Sequence, residues 1–291
     1  MTDSPTAVDQ DQRASELTEL PYFDLLLREL KKGNAAVEQD FGRHVHWGYW
    51  KNPREAKRDG TDFAEAAENL SQVICQAARI ADGLRVLDVG CGFGGTIAHI
   101  NERHRDMQLI GLNLDTRQLQ RAQRQVVARP SNRVAFVGGD ACKLPFADAS
   151  FDVVLAVECI HHFPNREAFF QDARRVLKPG GMVAMSEFIP ARALLPYFKL
   201  KMPGKLGRGF YGRRNMTLTL KRYREFAERL GFRLQVERDI TANTIPTYAH
   251  LWRLSRQASH QTVFQYIETG GLEVLSRLRL LRYMIYAFQR A

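Results

Sequence analysis

Cysteine is scarce in this chain: four among 291 residues, at positions 75, 91, 142 and 159. Their spacing forms neither a CxxC metal site nor a disulfide framework. They read as reduced thiols, which points to a cytoplasmic protein. Long apolar runs are absent too. No stretch approaches the roughly 20 residues that a membrane span needs. The first 20 residues hold no apolar h-region and carry Asp3, Asp9, Asp11, Arg13, Glu16 and Glu19 instead, so no signal peptide is expected. Internal repeats and low-complexity tracts are lacking, which excludes collagen-like and coiled-coil chains.

What is present is an ordinary globular balance, 45% hydrophobic and 25% charged, enough for one large domain or two small ones. The net charge of +10 is unevenly placed, since residues 199–233 carry eleven Lys/Arg against two Glu. Such a segment reads as a solvated face, or as an attractor of an anionic substrate, a membrane surface or nucleic acid.

Apolar residues recur at helical spacing from Ser15 to Lys32 and again from Asp62 to Ile80. Between them lies an aromatic knot, His44-Val45-His46-Trp47-Gly48-Tyr49-Trp50. Short apolar runs at 84–89, 108–112, 133–137, 152–157 and 182–187 then alternate with helical patterns at 96–103, 116–128 and 166–177. This is the signature of a parallel sheet with helices on both faces. A basic stretch at 191–216 interrupts it. A helix at 218–230, a strand at 232–240, helices between 247 and 278 and a strand at 281–288 complete the pattern.

The strongest motif is Asp88-Val89-Gly90-Cys91-Gly92-Phe93-Gly94-Gly95, a buried strand running into a glycine turn and a helix. Glycine there permits a tight turn and close approach of a ligand to the backbone. The string also satisfies GxGxxG, so a dinucleotide-binding dehydrogenase has to be weighed. Gly111-Leu112-Asn113-Leu114-Asp115 ends the second strand. Asp115 with Gln118 has the spacing of a helix capping box. Asp140-Ala141 follows the third strand, where an Asp is otherwise a turn former. Glu158-Cys159-Ile160-His161-His162-Phe163-Pro164 follows the fourth, and Glu187 ends the fifth. Strand carboxyl ends face the ligand crevice in a doubly wound sheet.

Taken together these strings resemble class I S-adenosylmethionine-dependent methyltransferases, most strongly over residues 62–190. Asp88, Gly90, Gly92 and Gly94 match their first motif. Glu158, His162 and Pro164 match sterol and tocopherol C-methyltransferases. The His pair is similar to that of antibiotic sugar O-methyltransferases, which use it as a base. The resemblance implies a Rossmann-like α/β fold, a doubly wound sheet of seven strands with the last antiparallel. Residues 1–61 are then an N-terminal helical lid, 62–190 the cofactor-binding core, 191–216 a substrate-lid insertion and 217–291 the completion of the sheet. It implies S-adenosylmethionine as cofactor, held by Asp88, Gly90, Gly92, Gly94, Asn113, Gln118, Asp140, Ala141 and Tyr49. Asn113 departs from the usual Asp or Glu, yet an amide still bonds a ribose hydroxyl.

The acceptor is then a small molecule, anionic in one reading, met by Tyr22, Phe23, Trp47, Phe163 and Arg214. For a hydroxyl acceptor, His161 or His162 is the base and Glu187 orients it. For an isoprenoid or sterol-like alkene, Glu158 and aromatic rings stabilise a carbocation. No metal is expected, although His44 and His46 have ligand-like spacing. The basic pI permits nucleic acid, but the fourth motif lacks the [DNS]PP[FYW] string of adenine N-methylation, so no nucleic-acid partner is expected. A homo-oligomer is left open.

Overall fold

The computed structural model describes residues 20–57, 59–199, 209–212, 215–257 and 263–291. Arg214 and part of the basic stretch therefore lie outside the described residues. Two helices, α1 (Pro21–Lys31) and α2 (Ala35–Phe41), open the chain. Proline at the first helical position starts α1, and Gly33 at φ +75° turns the chain out of it. The sequence pattern missed α2. It is a seven-residue helix capped by the Asn34 side chain on the Val37 N–H, and only Asp40 and Phe41 are buried, so no apolar stripe announces it.

Helix α3 (Phe63–Ala77) precedes the alternating elements β1 (Arg85–Val89), α4 (Gly95–Arg103), β2 (Gln108–Asn113), α5 (Thr116–Gln125), β3 (Arg133–Gly138), β4 (Phe151–Val157), α6 (Arg166–Val176) and β5 (Leu177–Pro190). Then come α7 (Leu195–Lys199), α8 (Leu220–Arg229), β6 (Phe232–Asp239), α9 (Thr241–Thr244), α10 (Pro246–Gln257), α11 (Val263–Arg277) and β7 (Leu281–Arg290). The seven strands form one sheet in the order β3-β2-β1-β4-β5-β7-β6. Strands β1 to β5 pair in parallel, and β7 runs antiparallel to both its neighbours. Pairing along β7 explains why β5 extends past its expected end at 187 to Pro190, because Phe188, Ile189 and Pro190 lie opposite Tyr283, Arg282 and Leu281.

Both faces of the sheet are covered, and the central strands follow the two-residue period. On β7, Tyr283, Ile285 and Ala287 join one core with Leu70 and Ile74 of α3. Met284, Tyr286 and Phe288 join the other with Phe170 of α6 and Tyr223 of α8. Strand order reverses between β1 and β4. A crevice opens there at the carboxyl ends, and the site occupies it. The opening helices lie over that crevice. Asp24 of α1 pairs with Arg117 of α5 at 2.8 Å, and the Tyr22 N–H donates to the Phe210 carbonyl at 3.2 Å.

Candidate active site

Two adjoining cavities fill the crevice. The first is built from strand-end loops. The turn after β1 puts Gly90 and Gly92 at φ +66° and +55°, the left-handed region. A Cβ on Gly90 would stand 2.7 Å from the Cys159 Cβ, so no other residue fits there without movement. Asp88 lines the cavity and is 1% exposed, and its Oδ1 has no hydrogen-bond partner among the described residues. Burial alone pushes its pKa up to about 8. A buried carboxyl with an open oxygen calls for a cationic ligand group.

Asn113, Gln118, Asp140 and Ala141 line the same cavity. Asn113 Nδ2 donates to Gln118 Oε1 at 2.9 Å. Asp115 caps α5 by accepting from the Arg117 N–H at 2.9 Å. Gln118 does not close the expected capping box: its Nε2 donates to the Asp115 carboxylate, and its Oε1 is taken by Asn113. Asp140 Oδ1 accepts from the Cys142 N–H at 2.8 Å, so the turn-former role and a place in the cavity coexist.

The second cavity is larger, about 1410 Å³ against about 1000 Å³ including their open mouths. Tyr22, Val45, His46, Glu158 and His162 line both, so they mark where the two meet. Trp47 and His161 line only the second.

The two histidines sit in a short 3-10 turn, Ile160–His162, just past β4. Their rings are 4.2 Å apart, but their settings differ. His161 is 5% exposed and its Nδ1 is 3.2 Å from Glu187 Oε1. A carboxylate at that nitrogen assigns the proton to Nδ1 and leaves Nε2 to accept. Glu187 is fully buried and lines neither cavity. Its Oε1 also takes the Phe188 N–H, and its Oε2 lies 3.4 Å from Arg166 Nη2. Arg166 further donates to the Asn215 carbonyl, while the Asn215 N–H donates to the His161 carbonyl at 2.6 Å. Arg166 escaped the sequence reading, because nothing in a helix start like Asn165-Arg166-Glu167 signals a partner 21 residues on. His162 faces both cavities, with its ring nearly parallel to Tyr22 at 6.4 Å.

Glu158 stands at φ +52°, a strained conformation for a residue with a side chain. Its Oε2 accepts from the Trp47 N–H at 2.9 Å and from the Tyr283 hydroxyl at 2.6 Å. Burial still pushes its pKa up to about 8. Rings crowd beside it: Trp47 to Phe188 at 5.0 Å, Trp47 to Tyr248 at 4.5 Å and Phe188 to Tyr283 at 4.6 Å.

Several expected residues lie elsewhere. Tyr49 lines neither cavity. It is buried in the core, and its hydroxyl accepts from Arg238 at 2.6 Å. Phe23 and Phe163 line the first cavity rather than the second, because α1 and the loop after β4 lean over the strand-end loops. Gly94 lines neither cavity; a Cβ there would strike Phe136 of β3 at 2.9 Å, so the glycine serves helix–sheet packing. His46 is fully committed to the protein, and His44 through one nitrogen. His44 Nε2 bonds Glu68 at 2.9 Å while its buried Nδ1 finds no partner among the described residues, and His46 spends its two nitrogens on the Trp47 carbonyl and Ser71. Burial drives His46 down to about 3, so it is neutral. No cluster of three metal-ligating side chains occurs among the described residues.

The family model described as a methyltransferase domain matches residues 87–185. The 27-O-demethylrifamycin SV methyltransferase of Amycolatopsis mediterranei is 30% identical over 259 residues, 86% of this chain and 90% of that protein. A sterol 24-C-methyltransferase of Aspergillus fumigatus is 36% identical over 188 residues, 64% of this chain and 48% of that one. The solved geranyl diphosphate C-methyltransferase of Streptomyces coelicolor A3(2), in complex with Mg²⁺, geranyl-S-thiolodiphosphate and S-adenosyl-L-homocysteine, shares the fold. Its TM-score is 0.66 at 16% identity, with 94% of this chain and 99% of that chain covered.

Proposed function

We propose, from the premise that the chain belongs to the S-adenosylmethionine-dependent methyltransferases, that it methylates a hydroxyl of a natural-product-like small molecule with His161 as general base. The observation that carries this reading is the buried Glu187 behind His161, with His161 on the wall of the second cavity beside the His162 that lines both.

The first cavity suits the cofactor. The unpartnered Asp88 oxygen meets its positively charged amino group, the Asn113–Gln118 pair its ribose hydroxyls, and Asp140 with Ala141 its adenine. S-adenosylmethionine, when bound, supplies a methyl group activated by a sulfonium. The chain then has to align, desolvate and deprotonate. Holding an acceptor in line is worth about 7–11 kcal/mol of barrier. Trp47, Tyr22 and the covering helices exclude water from the junction. The acceptor's hydroxyl proton passes to His161 Nε2, and Glu187, fixed by Arg166, balances the imidazolium that forms.

Glu158 and its aromatic neighbours favour a second reading, C-methylation of an alkene, in which rings and a carboxyl stabilise a carbocation. Single-turnover methyl transfer to hydroxyl-bearing and alkene acceptors separates the two. Under the first, His161→Asn lowers the rate about 10²–10⁴-fold with S-adenosylmethionine affinity unchanged. A His161→Asn/His162→Asn protein with near wild-type rate from pH 6 to 9 rules that reading out in favour of the second.

A further inference from the structure

Helix α10 forms one long wall of the second cavity. Its Thr247, Leu251, Leu254 and Ser255 line the cavity at the spacing of one helix face. The start of that face lies at the junction with the first cavity. Thr247 Oγ1 accepts from the Gly48 N–H at 3.2 Å, and the neighbouring Trp47 N–H is held by Glu158, which lines both cavities. Ser255 stands further along the helix, about 12 Å from Thr247 at a rise of roughly 1.5 Å per residue. The wall between them is hydrocarbon, since Leu251 and Leu254 pack against the cluster of Phe41 and Phe63.

Ser255 is 7% exposed, and its hydroxyl has no hydrogen-bond partner among the described residues. A serine inside a helix ordinarily bonds back to the carbonyl four residues earlier or points to solvent. Here the hydroxyl is buried and makes no such bond, whereas Thr247 on the same face is engaged. A buried polar group left unpaired is unfavourable, and a ligand that pairs it removes that cost. A hydroxyl both donates and accepts, so a hydroxyl or carbonyl oxygen of a ligand meets it equally well.

Resting on the reading that this cavity holds the methyl acceptor, we propose that Ser255 determines specificity by hydrogen-bonding an oxygen at the far end of the acceptor, two turns of helix away from the hydroxyl that is methylated. The acceptor is then a long molecule, polar at both ends and apolar between them.

Two matched pairs of ligands test this without any methyl transfer. The protein saturated with S-adenosyl-L-homocysteine is titrated with decan-1-ol and decane-1,10-diol, and with hexan-1-ol and hexane-1,6-diol. Calorimetry and the fluorescence of Trp47 and Trp252, which line the cavity, report binding. A second hydroxyl that finds no partner in an apolar cavity weakens binding about tenfold, whereas a paired one costs little. In the wild type the longer diol is therefore expected to bind within about threefold of its alcohol. The shorter diol, which cannot reach both ends, should bind about tenfold more weakly than its alcohol. Ser255→Ala should weaken decane-1,10-diol about tenfold and leave decan-1-ol unchanged. Ser255→Thr, which keeps the hydroxyl, should retain the wild-type ratio. The proposal is overturned if the second hydroxyl costs the same in both pairs, if Ser255→Ala weakens alcohol and diol alike, or if decan-1-ol does not bind. Because no bond is made in this assay, failure of the His161 mechanism leaves its outcome untouched.

Discussion

The first cavity, the proposed cofactor half of the site, and the second, its proposed acceptor half, are built by different means. The cofactor half comes mainly from the ends of β1, β2, β3 and β4 and the turns that follow them, with α1 and residues 43–46 closing over it, so most of its lining lies in short contiguous strings. The acceptor half gathers α1, α2, residues 45–47, the turn after β4, Phe210, Tyr211, Met216, α10 and α11. Its residues are scattered over more than 240 positions. A strand-end loop carries its own geometry, because the strand fixes its origin and the helix its exit. A cavity roofed by separate helices has no such local rule and changes as those helices change. The comparison implies that the cofactor half tolerates little and that the acceptor half sets specificity.

The sharpest way to break the comparison is Asp88→Ala. Calorimetry is expected to show S-adenosylmethionine affinity falling more than about 100-fold, since a charge-assisted contact in a buried site is lost. Circular dichroism should stay unchanged, because Asp88 Oδ1 supports no other group. Retained affinity would remove Asp88 from the cofactor half.

Next in size is Arg166→Met, which acts on the acceptor half alone. It should lower kcat about 10–100-fold with little change in cofactor affinity. ¹⁵N spectra of histidine-labelled protein should show His161 losing its fixed Nδ1–H tautomer. Arg166→Lys should restore part of both. A protein that loses rate while His161 keeps its tautomer shows that Arg166 supports the fold rather than the base.

Proteolysis addresses the cover shared by both halves. Glu158 holds the Trp47 N–H, so Glu158→Gln should increase cleavage within residues 20–50 severalfold. S-adenosyl-L-homocysteine should reduce that cleavage in the wild type. Cleavage indifferent to ligand means that this segment is a fixed wall.

The smallest effect is on the pH dependence of stability. Asp88 and Glu158 each have a folded pKa of about 8, raised above the ordinary carboxyl value. Each keeps its proton in the folded chain while the unfolded chain releases it, so the stability each contributes is present below about pH 4 and is lost as pH rises through 8. Between pH 6 and 8, Asp88→Asn and Glu158→Gln should each flatten the fall of Tm in ligand-free protein. Bound cofactor should flatten only the Asp88 share. Parallel slopes in wild type and both variants would show that neither carboxyl keeps its proton.

Much of the lining of the first cavity was legible in the sequence. Asp88, Gly90, Gly92, Asn113, Gln118, Asp140 and Ala141 follow apolar runs at strand spacing, and the fold brings them to one cavity except where a residue serves packing, as Gly94 does. Tyr49 was misplaced because an aromatic knot reads alike as lid or core; the Arg238 hydrogen bond decides for core. In the acceptor half, His161 and His162 were visible as a pair and indistinguishable. Only the approach of Glu187 from β5 separates them, and that approach depends on the parallel pairing of β4 with β5.

By itself the sequence determined the alternation of strands and helices, the glycine turn after β1 and the polar residues at strand ends. Hydrophobic period and backbone conformation are local properties, and a chain writes them in consecutive residues. Tertiary structure alone decided which histidine meets a carboxylate, that Arg166 stands behind it, and that Glu158 ties Trp47 and Tyr283 together. Those facts depend on groups far apart in sequence meeting at 2.6 to 3.4 Å. Their meeting is set by sheet order and helix packing, which no short window of residues contains.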